Sequence, residues 1–180
     1  MCPIEKRPII LNMSANYKNR KSPRWKNYNY SREGAYFITI NTKDRFPYFG
    51  EIKNGIMCLS NAGQIAYNEW LNTKNVRSNI SLGEFVVMPD HFHAIIFIDK
   101  QINDNEQDDG SIKEYKNKFG SQKNNLSSIV RGFKAACTKN IQIVVYEFVW
   151  QSRFHDRVIR SYEEQIRIEE YIANNIESYP

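Results

Sequence analysis

A chain of 180 residues that is 41% hydrophobic, 13% aromatic and 25% charged is long enough to bury one core and too apolar to stay disordered. No apolar run approaches the ~18 residues of a membrane-spanning helix, and the basic, polar start lacks the apolar stretch of a secretory signal. The net charge of +5 is uneven: residues 1–34 hold eight Lys/Arg against Glu5 and Glu33, which is +6 and leaves −1 for the rest.

That basic arm, residues 1–34, is the first unit in chain order. Arg20, Lys21, Arg24, Trp25, Lys26 and Arg32 stand among Tyr17, Tyr28 and Tyr30. Cations interleaved with aromatic rings suit a nucleic-acid backbone and unstacked bases, and a solvated tail is the other reading of the same charge. Residues 35–180 are expected to form one domain. Ala35–Asn41 has strand character, and Tyr48–Lys53 and Ile56–Leu59 flank Asn54-Gly55, the dipeptide of a tight hairpin turn. Asn61 to about Asn75 reads as a helix with Ile65, Ala66, Trp70 and Leu71 on its apolar side. Gly83–Met88 and His93–Ile98 are two strands turning at Pro89-Asp90.

Residues of about 99–125 interrupt this pattern, with Asp99, Asp104, Glu106, Asp108 and Asp109 followed by Lys113, Lys116, Lys118 and Lys123. So long a polar connection reads as an insertion, with a short helix expected around Lys113–Phe119. Leu126, Ile129, Val130, Phe133, Ala136 and Cys137 then follow helical spacing. Glu147–Gln151 and Phe154–Ile159 read as short strands. The last helix starts at Ser161, which forms a capping box with Glu164, and buries Ile168 and Ile172. The order predicts an α+β fold: an antiparallel sheet with helices on one face. Cys2, Cys58 and Cys137 form no CxxC pair, and a reducing, cytoplasmic location fits.

Two of the three histidines in the chain, His91 and His93, lie in Met-Pro-Asp-His-Phe-His-Ala-Ile-Ile-Phe-Ile, residues 88–98. In a strand, residues two apart point to the same side, roughly 6.5–7 Å from one another, so two imidazoles can converge on one cation. The last helix carries Tyr171 and, one turn later, Asn175. Where that helix meets the histidine strand, two nitrogens and an amide oxygen could hold a divalent metal with positions left for a phosphate oxygen and water. Tyr171 is then placed to attack the phosphorus.

These segments resemble a known family. Met-Pro-Asp-His-Phe-His-Ala-Ile is similar to the His-hydrophobe-His motif of the HUH single-strand endonucleases, and Glu-Tyr-Ile-Ala-Asn-Asn (170–175) to the Tyr-Ile-x-x-Asn signature of single-tyrosine transposases. With Gly-Ala-Tyr-Phe-Ile-Thr-Ile-Asn-Thr (34–42), Ile129–Thr138 and Trp150–Arg160, the resemblance is closest to the REP-associated tyrosine transposases and covers most of residues 28–176. Related chains continue Asn-Pro; here Ile176 follows Asn175. The resemblance implies a ferredoxin-like domain of the HUH type. It implies Mg²⁺ or Mn²⁺ on His91, His93 and Asn175, and cleavage of single-stranded DNA near hairpins by Tyr171 through a 5′-phosphotyrosine, releasing a 3′-OH. It implies single-stranded or hairpin DNA as partner and a chain acting as monomer or homodimer, with the basic arm beside the hairpin.

Each residue has a plainer reading. Tyr171 stands at the edge of the buried stripe, where tyrosines commonly pack, and Tyr162 and Tyr179 are its rivals. Asn174 rivals Asn175, which the motif favours. His155 reads as structural or as a phosphate contact. Arg131 and Lys134 mark the polar side of the second helix, as a solvated face or a DNA-backbone contact. Two other functions fit the same residues: a domesticated protein that holds hairpin DNA without cutting it, and a metal phosphohydrolase in which water attacks instead of Tyr171.

Overall fold

The computed structural model describes residues 33–99 and 125–179. The basic arm up to Arg32, with its candidate DNA contacts Arg20, Lys21, Arg24, Trp25, Lys26 and Arg32, lies outside the described residues, as does nearly all of the insertion with its expected short helix.

The chain runs β1 (Gly34–Asn41), a hairpin of β2 (Gly50–Lys53) and β3 (Ile56–Leu59), α1 (Asn61–Val76), β4 (Ile80–Val87), β5 (His91–Ile98), α2 (Leu126–Ile141), β6 (His155–Ile159) and α3 (Tyr162–Ala173). Four strands form one sheet in the order β4-β5-β1-β6, with every neighbouring pair antiparallel. Without the β2–β3 hairpin the order through β6 is βαββαβ, the split arrangement of ferredoxin-like domains, and α3 follows it, so the expected α+β class and antiparallel sheet are met. No described helix is long and apolar enough to cross a membrane.

Local chemistry accounts for these elements. Asn54 and Gly55 both have positive φ, 52° and 72°, as a two-residue hairpin turn requires. Ser60 caps α1 by accepting from the Gly63 backbone N–H at 3.1 Å, and its hydroxyl donates to Tyr48 O at 2.7 Å. Asn125 and Ser128 form a reciprocal capping box on α2. At α3, Ser161 accepts from the Glu164 N–H, but Glu164 reaches back to the Arg160 N–H.

Both faces of the sheet are apolar, and this corrects the expected one-sided packing. Tyr36, Ile38 and Ile40 of β1 and Phe92, Ala94 and Ile96 of β5 face α1 and α2, whose Trp70 and Phe133 rings lie 5.0 Å and 5.2 Å from Phe92. The alternate residues Ala35, Phe37, Ile95 and Phe97 face the other way and pack with Ile159, Ile168 and Ile172. So α1 and α2 share one face, and α3 covers the opposite one. Strands buried on both sides carry near-continuous apolar runs rather than clean alternation, and β1 and β5 do so.

Other boundaries shift as well. β5 begins at His91 and β4 at Ile80, and the hairpin starts at Gly50. Residues 147–151 form only one bridge, Thr42 to Trp150, not a strand. Phe148 and Trp150 are buried while Val149 is exposed, so the segment alternates like a strand but has a partner at one point alone.

Candidate functional site

His91 and His93 occupy the α3 face of the sheet. In register, Asn41 lies opposite His91, and Thr39 lies opposite His93 on one side and His155 on the other. Both histidines are almost fully buried, at 5% and 4% exposure, with ring centroids 4.6 Å apart. The Nδ1 atom of each is engaged by a neighbour. Asp90 Oδ1 is 2.6 Å from His91 Nδ1, and Thr39 Oγ1 is 2.9 Å from His93 Nδ1. Facing a carboxylate, His91 Nδ1 donates and leaves Nε2 as the acceptor nitrogen, the arrangement that orients metal-binding imidazoles; Thr39 likewise fixes the His93 ring by its Nδ1.

α3 supplies the rest. Ile168 and Ile172 anchor it to the sheet, which brings Tyr171 over His93 with its hydroxyl 3.4 Å from Nε2. The tyrosine ring meets Phe37 edge-on at 6.0 Å, and Phe37 stacks on His93 at 5.3 Å. Tyr171 is half exposed, so a substrate can reach it. Asn175 does not belong to α3 proper. It follows the Asn174 cap, in a turn whose Asn175 N–H donates to Ile172 O at 3.3 Å. Even so it is buried to 5% exposure and faces His91 as a hydrogen-bond partner, whereas Asn174 is exposed. Of the two, Asn175 is the one that lines the cavity beside the histidines.

These groups line a cavity of about 250 Å³ bounded by Arg45, His91, His93, Tyr171, Asn175, Ser178 and Tyr179. Burial lowers both histidine pKa values. For His91 the hydrogen bond and charge of Asp90 oppose the shift. For His93 the nearby His91 and Arg45 add to burial and push it down to about 3. Neutral imidazoles, a buried amide and an open cavity fit a divalent cation. Among the described residues no three His, Cys, Asp or Glu side chains gather to hold a metal; beside the two imidazoles the cavity offers neutral oxygens, the buried amide of Asn175 among them.

The rival tyrosines separate. Tyr162 is 72% exposed at the start of α3. Tyr179 enters the cavity with its ring 6.3 Å from that of His91, but its phenol is hydrogen-bonded toward Asp90 rather than His93. His155 is exposed at the start of β6. Arg131 and Lys134 belong to α2, across the sheet from the cavity. Arg131 is exposed, and Lys134 donates to Gln151 O and lies 5.9 Å from the centre of the Trp150 ring.

Thr39, Arg45 and Asp90 escape sequence reasoning. Asp90 carried a signal, an acid directly before the first histidine. Thr39 becomes visible only through strand register. Arg45 reaches Asp90 Oδ2 with Nε at 2.7 Å from a turn with no motif.

Comparison with known proteins follows from this geometry. No family model matches the chain. The solved structure of a REP-associated tyrosine transposase bound to a REP hairpin shares the fold, with a TM-score of 0.57 at 19% identity over 89% of this chain and 81% of that one. An uncharacterized protein of Haemophilus influenzae is 35% identical over 166 residues, which is 90% of this chain and 91% of that protein. At that identity and coverage, the chain belongs to one family with the Haemophilus influenzae protein.

Proposed function

We propose that the protein is a metal-dependent, single-tyrosine transposase of the REP-associated HUH type that cleaves and rejoins single-stranded DNA beside hairpins. One observation carries this reading: two imidazoles, an amide and a tyrosine hydroxyl from segments some 80 residues apart share one cavity, with both Nδ1 atoms already engaged elsewhere. The transposase fold shared with the hairpin-bound structure agrees with it.

His91, His93 and Asn175 would hold Mg²⁺ or Mn²⁺. Such a cation, when bound, supplies Lewis-acid polarisation of a phosphate oxygen. Asp90 and Thr39 fix the two rings so that Nε2 of each stays turned to the cavity. Tyr171 is the nucleophile. Its oxygen bonds to phosphorus, the bond from phosphorus to the 3′ oxygen breaks, and the strand leaves as a 3′-OH with the 5′-phosphate on the tyrosine. Because Tyr171 is half exposed, water takes the phenol proton and returns one to the leaving oxygen. Phe37, packed against both His93 and Tyr171, sets the distance between them.

Attack by water instead of Tyr171 would call for a carboxylate base on the cavity wall, and among the described residues none lines it. The test is a denaturing gel after incubation with Mn²⁺ and single-stranded hairpin oligonucleotides. A covalent protein–DNA band is expected from the wild type and from Tyr179→Phe, and none from Tyr171→Phe. Cleavage that survives Tyr171→Phe would overturn the nucleophile and favour the phosphohydrolase. Binding without cleavage by the wild type would favour the non-cutting hairpin binder.

A further inference from the structure

Arg45 is the one permanently charged group on the cavity wall among the described residues, and its position is built at a cost. It follows Asp44 in a turn where both residues, neither of them glycine, have positive φ, 54° and 58°. Such backbone is strained and persists only where surrounding contacts enforce it. Those contacts are present. The Thr42 hydroxyl is fully buried, 2.8 Å from Phe46 O and 2.9 Å from Asp90 O. The Thr42 N–H also donates to Asp90 O at 2.9 Å, and the Lys43 N–H to Val149 O at 2.9 Å. The turn is thus clamped to the residue that precedes the histidine strand.

The side chain is clamped too, yet not consumed. Nε bonds Asp90 Oδ2 at 2.7 Å and Nη1 donates to Asn41 Oδ1 at 3.0 Å. Those contacts use two of the five N–H donors of a guanidinium. The side chain remains 52% exposed while the Asp90 side chain is 6% exposed. A strut for Asp90 would need only the first contact and no exposure. A planar fork with donors to spare on the wall of the histidine cavity suits a phosphate oxygen pair.

We infer that Arg45 is a substrate-contacting residue that binds a phosphate of the single-stranded DNA at the cavity, oriented for it by Asp90 and Asn41. The inference rests on the reading of this cavity as a DNA phosphate site, and it adds a group that the histidine and tyrosine motifs do not contain.

The test needs no cleavage. In a Tyr171→Phe background, the affinity for a single-stranded hairpin oligonucleotide is measured by fluorescence anisotropy over a range of salt. Arg45→Gln is expected to reduce the slope of log affinity against log salt by about 0.7, the value of one single-strand phosphate contact. Lys43→Gln, on the same turn, leaves the slope unchanged. Mn²⁺ affinity of the protein alone should be retained in Arg45→Gln, whereas a strut acting through Asp90 on His91 would lose about 10–100-fold. An unchanged slope, an equal fall in Lys43→Gln, or a lost Mn²⁺ site each overturns the inference. Should glutamine unfold the turn, Arg45→Lys carries the test: the slope stays and affinity drops several-fold, and wild-type affinity there overturns the two-pronged contact. A wild type that never forms a covalent adduct sinks the tyrosine mechanism but leaves the slope to decide Arg45.

Discussion

His93 sits in the sheet with 4% of its surface exposed and a pKa pushed down to about 3, against 6.5 for an ordinary imidazole. The unfolded chain takes up a proton at this residue below about pH 6.5, while the native chain does not until near pH 3. Between those limits the unfolded state binds more protons, so stability is full above about 6.5 and is lost as pH falls, by up to ~1.4 kcal/mol per unit. His91, also lowered by burial, adds in the same direction. Urea unfolding should therefore give a lower free energy at about pH 5 than at about pH 7, and His93→Gln should shrink that difference. A pH dependence identical in wild type and His93→Gln would mean that His93 titrates normally. The same neutrality is what a metal ligand needs, so the residues that cost acid stability are those the proposed chemistry uses. The sequence exposed His91, His93, Tyr171 and Asn175 because each lies in a short pattern with its own periodicity. It hid Thr39 and Arg45 because each is joined to the histidines only through strand pairing or a folded turn.

α3 is the element that makes a site out of the histidine pair. It rests on the sheet through Ile168 and Ile172, which are 9% and 2% exposed and meet Ile95 and Ile159. Removing the Ile172 side chain beyond Cβ should cost about 2–5 kcal/mol, the range for Ile→Ala in a packed setting. Tyr162→Ala, at a residue 72% exposed, should stay within about 0.5 kcal/mol. Urea melts of the two variants check the contrast, and equal costs would mean that α3 is not held by its apolar stripe. The stripe was legible from spacing alone, as were the Asn54-Gly55 turn and the three helices of the described residues. The face on which α3 packs was not. Periodicity tells which side of a helix is buried, but not which side of a sheet receives it when both sides are apolar. The 147–151 segment misled for a related reason: Phe148 and Trp150 alternate as in a strand because they fill the core, while backbone pairing stops after one bridge.

For the whole molecule the question is whether one chain holds a complete site. β6 ends at Ile159 and α3 starts at Tyr162, so only Arg160 and Ser161 connect them. The three Cα–Cα steps from Ile159 to Tyr162 span at most about 11 Å. In this one chain that connection turns α3 back over the sheet, where Ile168 and Ile172 pack against Ile95 and Ile159. Tyr171 therefore meets His93 of its own chain, with the hydroxyl 3.4 Å from Nε2. If the proposed site works as it stands within one chain, a monomer suffices, and a homodimer would need to bring only DNA, not residues, to each cavity. Mixing His91→Ala with Tyr171→Phe distinguishes the two arrangements. If the tyrosine served a partner's histidines, a mixed dimer would rebuild one intact site and the covalent adduct would return. With every site assembled within one chain, each molecule in the mixture lacks an essential group. The adduct on hairpin oligonucleotides with Mn²⁺ is then expected to stay absent at every mixing ratio, and a band that peaks at equal amounts would establish that α3 is exchanged.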